Sequence, residues 1–79
     1  MHASELTHIA SRYARRARRE TNEVLARLYL DVSDAIAMAA TCAKRNDECV
    51  MQTWIDQAVE RMARHNMKIP SALKARATA

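Results

Sequence analysis

Glycine is absent from all 79 residues, and proline occurs once, at Pro70. Sheet-rich folds draw on glycine for primed hairpin turns and positive-φ corners, so their absence argues against any strand-based architecture. Aromatic residues are just as scarce, with no phenylalanine and only Tyr13, Tyr29 and Trp54. They do not interleave with the basic residues as stacking platforms for single-stranded nucleic acid require. No apolar run is long enough to cross a bilayer, the longest being Ala35 to Ala40. The first residues have neither the basic start nor the apolar core of a secretory signal. Residues 6–19 are Arg-rich and free of acid, as a mitochondrial presequence is, but the pattern runs on unbroken into the next segment, so the expected location is the cytoplasm.

Catalytic and metal-binding patterns are missing too. Ser4, Ser11, Ser33 and Ser71 have no His and Asp arrangement around them, and no glycine loop is present to cradle a phosphate. Cys42 and Cys49 stand six residues apart, a spacing that matches no common zinc pattern, and His65 lies far from both. Neither an enzyme nor a cofactor or metal protein is expected.

What remains is a helix-forming composition in which alanine, leucine, arginine, glutamate, methionine and lysine dominate, pointing to an all-α protein. From the N-terminus, Leu6, Ala10, Tyr13, Ala17, Thr21, Val24, Leu28, Val32, Ala35, Ala39 and Cys42 recur at spacings of three and four, which makes one helical stripe. The set also repeats every eleven residues, a period that keeps a long helix nearly straight. The stripe predicts a first helix over 4–45, about 60 Å long. Its weak point is Asp31-Val32-Ser33-Asp34, where helix-poor residues cluster and a kink would fall. Asn46, followed by Asp47 and Glu48, reads as a turn and N-cap. A second helix over 47–67 follows, with Val50, Met51, Trp54, Ile55, Ala58, Val59, Met62 and Ala63 on a wide apolar face.

So short a connection makes the two helices antiparallel neighbours, and residues 1–69 form a helical hairpin domain followed by a basic tail over 70–79. The expected hairpin core is Leu28, Val32, Ala35 and Ala39 against Trp54, Ile55, Val59 and Met62, with Trp54 as its anchor. Cys42 and Cys49 flank the turn, where a disulfide would staple the hairpin; in a reducing compartment two buried thiols are expected instead.

The second helix is too short to cover the first. Leu6, Ile9, Tyr13, Ala17 and Val24 therefore lie beyond its reach, and an uncovered stripe of that length pairs with a second copy, packs on another protein, or makes the first helix break and fold back. A homodimer assembling into a helical bundle is the leading expectation. A chain this short buries only about 60% of its unfolded surface, which also favours help from a partner.

Thirteen Lys and Arg against nine Asp and Glu give a net charge of +4 and a bias toward acidic partners. The basic residues are densest at Arg12, Arg15, Arg16, Arg18 and Arg19, of which Arg12, Arg15, Arg16 and Arg19 share one helix face opposite the stripe. That ridge suits docking on an acidic protein surface or contact with nucleic-acid phosphates. The bland alternative is a solvated face neutralised by Arg16–Glu20 and Arg19–Glu23 pairs at i, i+4. The expected function is a small non-enzymatic adaptor, co-chaperone or inhibitor of a larger assembly. A dimeric nucleic-acid-binding protein without sequence specificity is the alternative. Basic-zipper and helix-turn-helix plans fit poorly, because the repeat is eleven rather than seven and the helices are long for the latter.

Overall fold

A computed structural model describes residues 2–77. Four helices make up the fold, α1 (Ala3–Arg19), α2 (Glu23–Lys44), α3 (Glu48–Arg64) and α4 (Ser71–Arg76), and no strand occurs among the described residues. The all-α expectation holds. The single long helix over 4–45 does not, because the chain breaks at Glu20 to Asn22. Glu20 and Asn22 take extended backbone, with ψ of 125° and 113°. The Asn22 side chain then caps α2, its Oδ1 accepting from the amides of Val24 at 3.0 Å and Leu25 at 3.1 Å, while the Asn22 backbone amide donates to Glu20 Oε1. The segment expected to be weak, Asp31 to Asp34, lies inside a continuous α2.

The break is favourable because it buries what an unbroken helix would leave wet. α1 folds back antiparallel on α2, and Leu6, Ile9 and Tyr13 become core residues of their own chain. Covering one side chain of leucine or isoleucine size is worth about 1.5–3 kcal/mol, whereas the break gives up little more than one turn of exposed helix and is recapped by Asn22. The molecule's longest extent is accordingly 37 Å rather than about 60 Å.

α2 is the central element, packed by α1 on one side and α3 on the other. Its buried positions come as doublets, Val32 and Ser33, Ala35 and Ile36, Ala39 and Ala40, since a helix covered from two sides needs a wider apolar arc than one stripe. Small residues let α1 approach closely, and buried Ser33 spends its hydroxyl on the Ala10 carbonyl of α1 at 2.8 Å. On the other side α3 runs antiparallel in the expected register. Arg61 meets Asp31 at 3.6 Å, and Ala35 lines one surface depression with Trp54. Val32, Ala35, Ala39, Ile55 and Met62 are buried as expected, with Leu28 and Val59 half-buried against them. Trp54 is not the anchor; it is half-buried at the edge, and Ile55 and Met62 fill the interior.

Asparagine solves the problem that the lack of glycine poses. Asn46 and Asn66 carry the two positive φ values, 58° and 56°, one residue past the caps of α2 and α3. Both ends close as Schellman motifs. The amides of Asp47 and Asn46 donate to the carbonyls of Cys42 and Ala43, and those of Met67 and Asn66 to Met62 and Ala63. Asn46 therefore ends α2, and it is Asp47 that caps α3, accepting from Val50. Cys42 is half-buried and Cys49 exposed, both as free thiols, so the expected pair of buried thiols is not what the turn presents.

The presumed tail is structural as far as Ala77. Pro70 stands beside Ile9, Arg12, Tyr13 and Arg16 of α1, and the Arg76 carbonyl accepts from Gln52 on α3. Residues 67–77 thus strap α1 to α3, with Leu73 of α4 fully buried. Thr78 and Ala79 lie outside the described residues.

Candidate functional site: the arginine face of α1

α1 is sharply amphipathic. Leu6, Ile9, Ala10 and Tyr13 point inward, and Thr7, His8, Ser11, Arg12, Arg15, Arg16, Arg18 and Arg19 are exposed. Arg12, Arg15, Arg16 and Arg19 together line one shallow depression, so the predicted ridge is brought together as one surface about 10 Å long. Arg18 is exposed but does not line it.

The balancing carboxylates are not where helical spacing would put them. With α1 ending at Arg19, Glu20 turns to the Asn22 amide and Glu23 begins a different helix. Among the described residues none of Arg12, Arg15, Arg16, Arg18 and Arg19 forms an ion pair; those present join Arg27 and Arg61 to Asp31 and Arg64 to Glu60. α1 holds five arginines and one glutamate, which is the whole of the chain's formal +4. The rest of the sequence is neutral overall, so the molecule is a basic helix mounted on a balanced support.

Tertiary structure also holds part of the ridge in place. The Arg16 guanidinium lies over the Tyr29 ring at 5.2 Å, and Tyr29 stacks on Tyr13 with centroids 6.2 Å apart. Such a cation–π contact is worth about 0.5–1 kcal/mol at an exposed site and restricts the arginine's rotamers. Tyr13, only 6% exposed, directs its hydroxyl to Met62 Sδ and the Lys68 carbonyl, both at 3.5 Å. Burial pushes its phenol above the ordinary value of 10.0, and the positive charges of Arg16 and Arg12 pull it partly back. Tyr13, expected at an interface with a second copy or another protein, instead packs within its own chain and positions Tyr29 beneath Arg16.

The stripe residues offered for dimerisation have separate fates. Leu6, Ile9 and Tyr13 are buried and unavailable to a second copy, and Ala17 is half-buried. Val24 alone stays open, at 80% exposure, on the first turn of α2. It lines a depression with Leu25, Leu28, Arg27, Asp31, Asn22 and His65 at the pole where α1 ends. The apolar stripe stays in phase straight through this place, which hides the patch from the sequence pattern. The signal available is Asn22-Glu23, an asparagine followed by an acid, the same cap chemistry that Asn46 with Asp47 and Glu48 presents.

No group of three or more His, Cys, Asp or Glu able to hold a metal occurs among the described residues. Among them no helix is long and apolar enough to cross a membrane. Comparison of the chain with protein-family models, with curated protein sequences and with solved structures gives no match.

Proposed function

We propose that this protein is a small non-enzymatic interaction module that docks on an acidic face of a larger macromolecular assembly through Arg12, Arg15, Arg16 and Arg19. The observation carrying this reading is that α1 holds the chain's entire net charge and that, among the described residues, the arginines on its exposed face have no ion-pair partner. An arginine face that served only solubility would ordinarily be interspersed with acids, because like charges at i, i+4 repel. Held without such neighbours, the face attracts anionic surfaces and accelerates encounter with them. An adaptor, co-chaperone or inhibitor acts in this way, by occupying a surface rather than by turning over a substrate. Self-association through the N-terminal stripe has no part in the reading, since Leu6, Ile9 and Tyr13 are already covered.

The test is the quadruple variant R12A/R15A/R16A/R19A. Its helical circular dichroism and unfolding midpoint should stay close to wild type, because the four side chains are exposed. Crosslinking in the source cell should recover a partner with wild type and lose it with the variant. A variant that keeps every wild-type partner removes the proposal.

A second reading, contact with nucleic-acid phosphates, is favoured by the hydroxyl and imidazole donors of Thr7, His8 and Ser11 exposed on the same helix. It predicts that log K for duplex DNA falls with log salt at a slope of about 3 to 4 for four arginines. Absence of binding at low salt eliminates it.

A further inference from the structure

Two features flank the break between α1 and α2. The first is the arginine face, whose C-terminal half is Arg15, Arg16 and Arg19. The second is the depression floored by Val24, Leu25 and Leu28. Tyr29, which carries Arg16 on its ring, stands one helical turn beyond Leu25 on α2.

We infer that the partner's contact element is an acidic amphipathic segment of a protein, which seats an apolar side chain against Val24, Leu25 and Leu28 and aligns carboxylates with Arg16 and Arg19. This deepens the docking reading above and rests on it. Three observations select that occupant. Val24 is 80% exposed although it is a β-branched apolar residue, and Leu25 and Leu28 beside it are only half-covered. A phosphate backbone has no use for such a floor. Charge at the rim does not oppose an acidic ligand, since Arg27 is exposed there. The one carboxylate there, Asp31, is flanked by Arg27 at 3.7 Å and Arg61 at 3.6 Å. Finally, Arg16 is preorganised by Tyr29, which lowers the ordering cost that an interface arginine pays. An apolar centre bordered by arginine and tyrosine is the composition that protein interfaces enrich.

The experiment uses the full chain and four labelled probes followed by fluorescence anisotropy, with amide chemical shifts to locate each. The first is a helical peptide of about 16 residues with leucines at i, i+3, i+4 and i+7 among glutamates. The others are an isomer with the leucines scattered, polyglutamate of equal length, and a DNA duplex of about 16 base pairs. The amphipathic peptide should bind about tenfold or more tighter than the isomer and polyglutamate, the gain from burying one leucine-sized side chain. Amides of Val24, Leu25 and Leu28 should shift together with those of 12–19. Val24→Ser should weaken this peptide about fivefold or more and leave polyglutamate within about twofold.

Equal binding of peptide, isomer and polyglutamate overturns the apolar element and leaves the arginine face as a plain polyanion site. Tightest binding by the duplex, insensitive to Val24→Ser, replaces a protein partner with nucleic acid. If no probe binds in a way that R12A/R15A/R16A/R19A abolishes, the docking function itself fails.

Discussion

Leu73→Ala is the most searching perturbation of this fold, because Leu73 lies in a segment that composition marks as a polar tail, yet it is fully buried. Truncating a buried leucine costs about 2–5 kcal/mol, the upper end applying where the surroundings cannot relax into the space. Relaxation is constrained here, since residues 67–77 are tied at one end by the Met67 amide on the Met62 carbonyl and at the other by Gln52 on the Arg76 carbonyl. A protein of this length has a total stability of about 4–12 kcal/mol, so the loss is a large share of it. With a urea dependence of about 1 kcal/mol per M for a small domain, the midpoint should drop by about 2 M or more. Circular dichroism and Trp54 fluorescence should report the same shift. Ala72→Ser, on the exposed face of the same turn, is the control and should move the midpoint little. A Leu73→Ala midpoint equal to wild type would mean that α4 is frayed in solution and that the strap contributes nothing to closing the bundle.

Asn22→Ala removes the α2 cap and should cost about 1 kcal/mol; because it also favours helix through the break, small-angle scattering checks whether the radius of gyration stays near the 11.8 Å of the folded chain. Ser33→Leu should destabilise by about 1–3 kcal/mol in urea unfolding, since it forces α1 away from α2 and deletes the bond to the Ala10 carbonyl; Ser33→Ala should cost only about 0.5–1.5 kcal/mol. Tyr13 supplies a pH dependence. Its folded-state phenol titrates above the unfolded value of 10.0, so the folded state holds the proton longer and stability falls as pH rises beyond about 10. Urea midpoints taken at neutral and at strongly alkaline pH should converge more in Tyr13→Phe than in wild type, and an equal alkaline loss in both would refute the assignment.

The arginine face was legible because charge and period lie in the sequence itself. Arg12, Arg15, Arg16 and Arg19 fall on one arc of any helix that contains them, whatever that helix packs against. That they form no ion pair among the described residues was not legible, since the i, i+4 partners Glu20 and Glu23 are lost only through a break that the apolar stripe conceals. The stripe stayed in phase across Thr21 and Asn22, and periodicity outweighed the cap signal that Asn22 carries. The doublets of α2, from Val32 and Ser33 to Ala39 and Ala40, were a second available cue. They mark a helix covered on two sides, which a two-helix hairpin cannot provide.

By itself, then, the sequence determined the helical class, the α2–α3 hairpin with its register, and the basic ridge. Each follows from local propensity, spacing or a short connection, all of which act between residues close in the chain. Only the tertiary structure decided that α1 folds back, that Leu73 completes the interior and that Tyr29 holds Arg16. These outcomes join residues far apart in sequence, and they are selected by which arrangement leaves least apolar surface in water, a quantity that no local pattern contains.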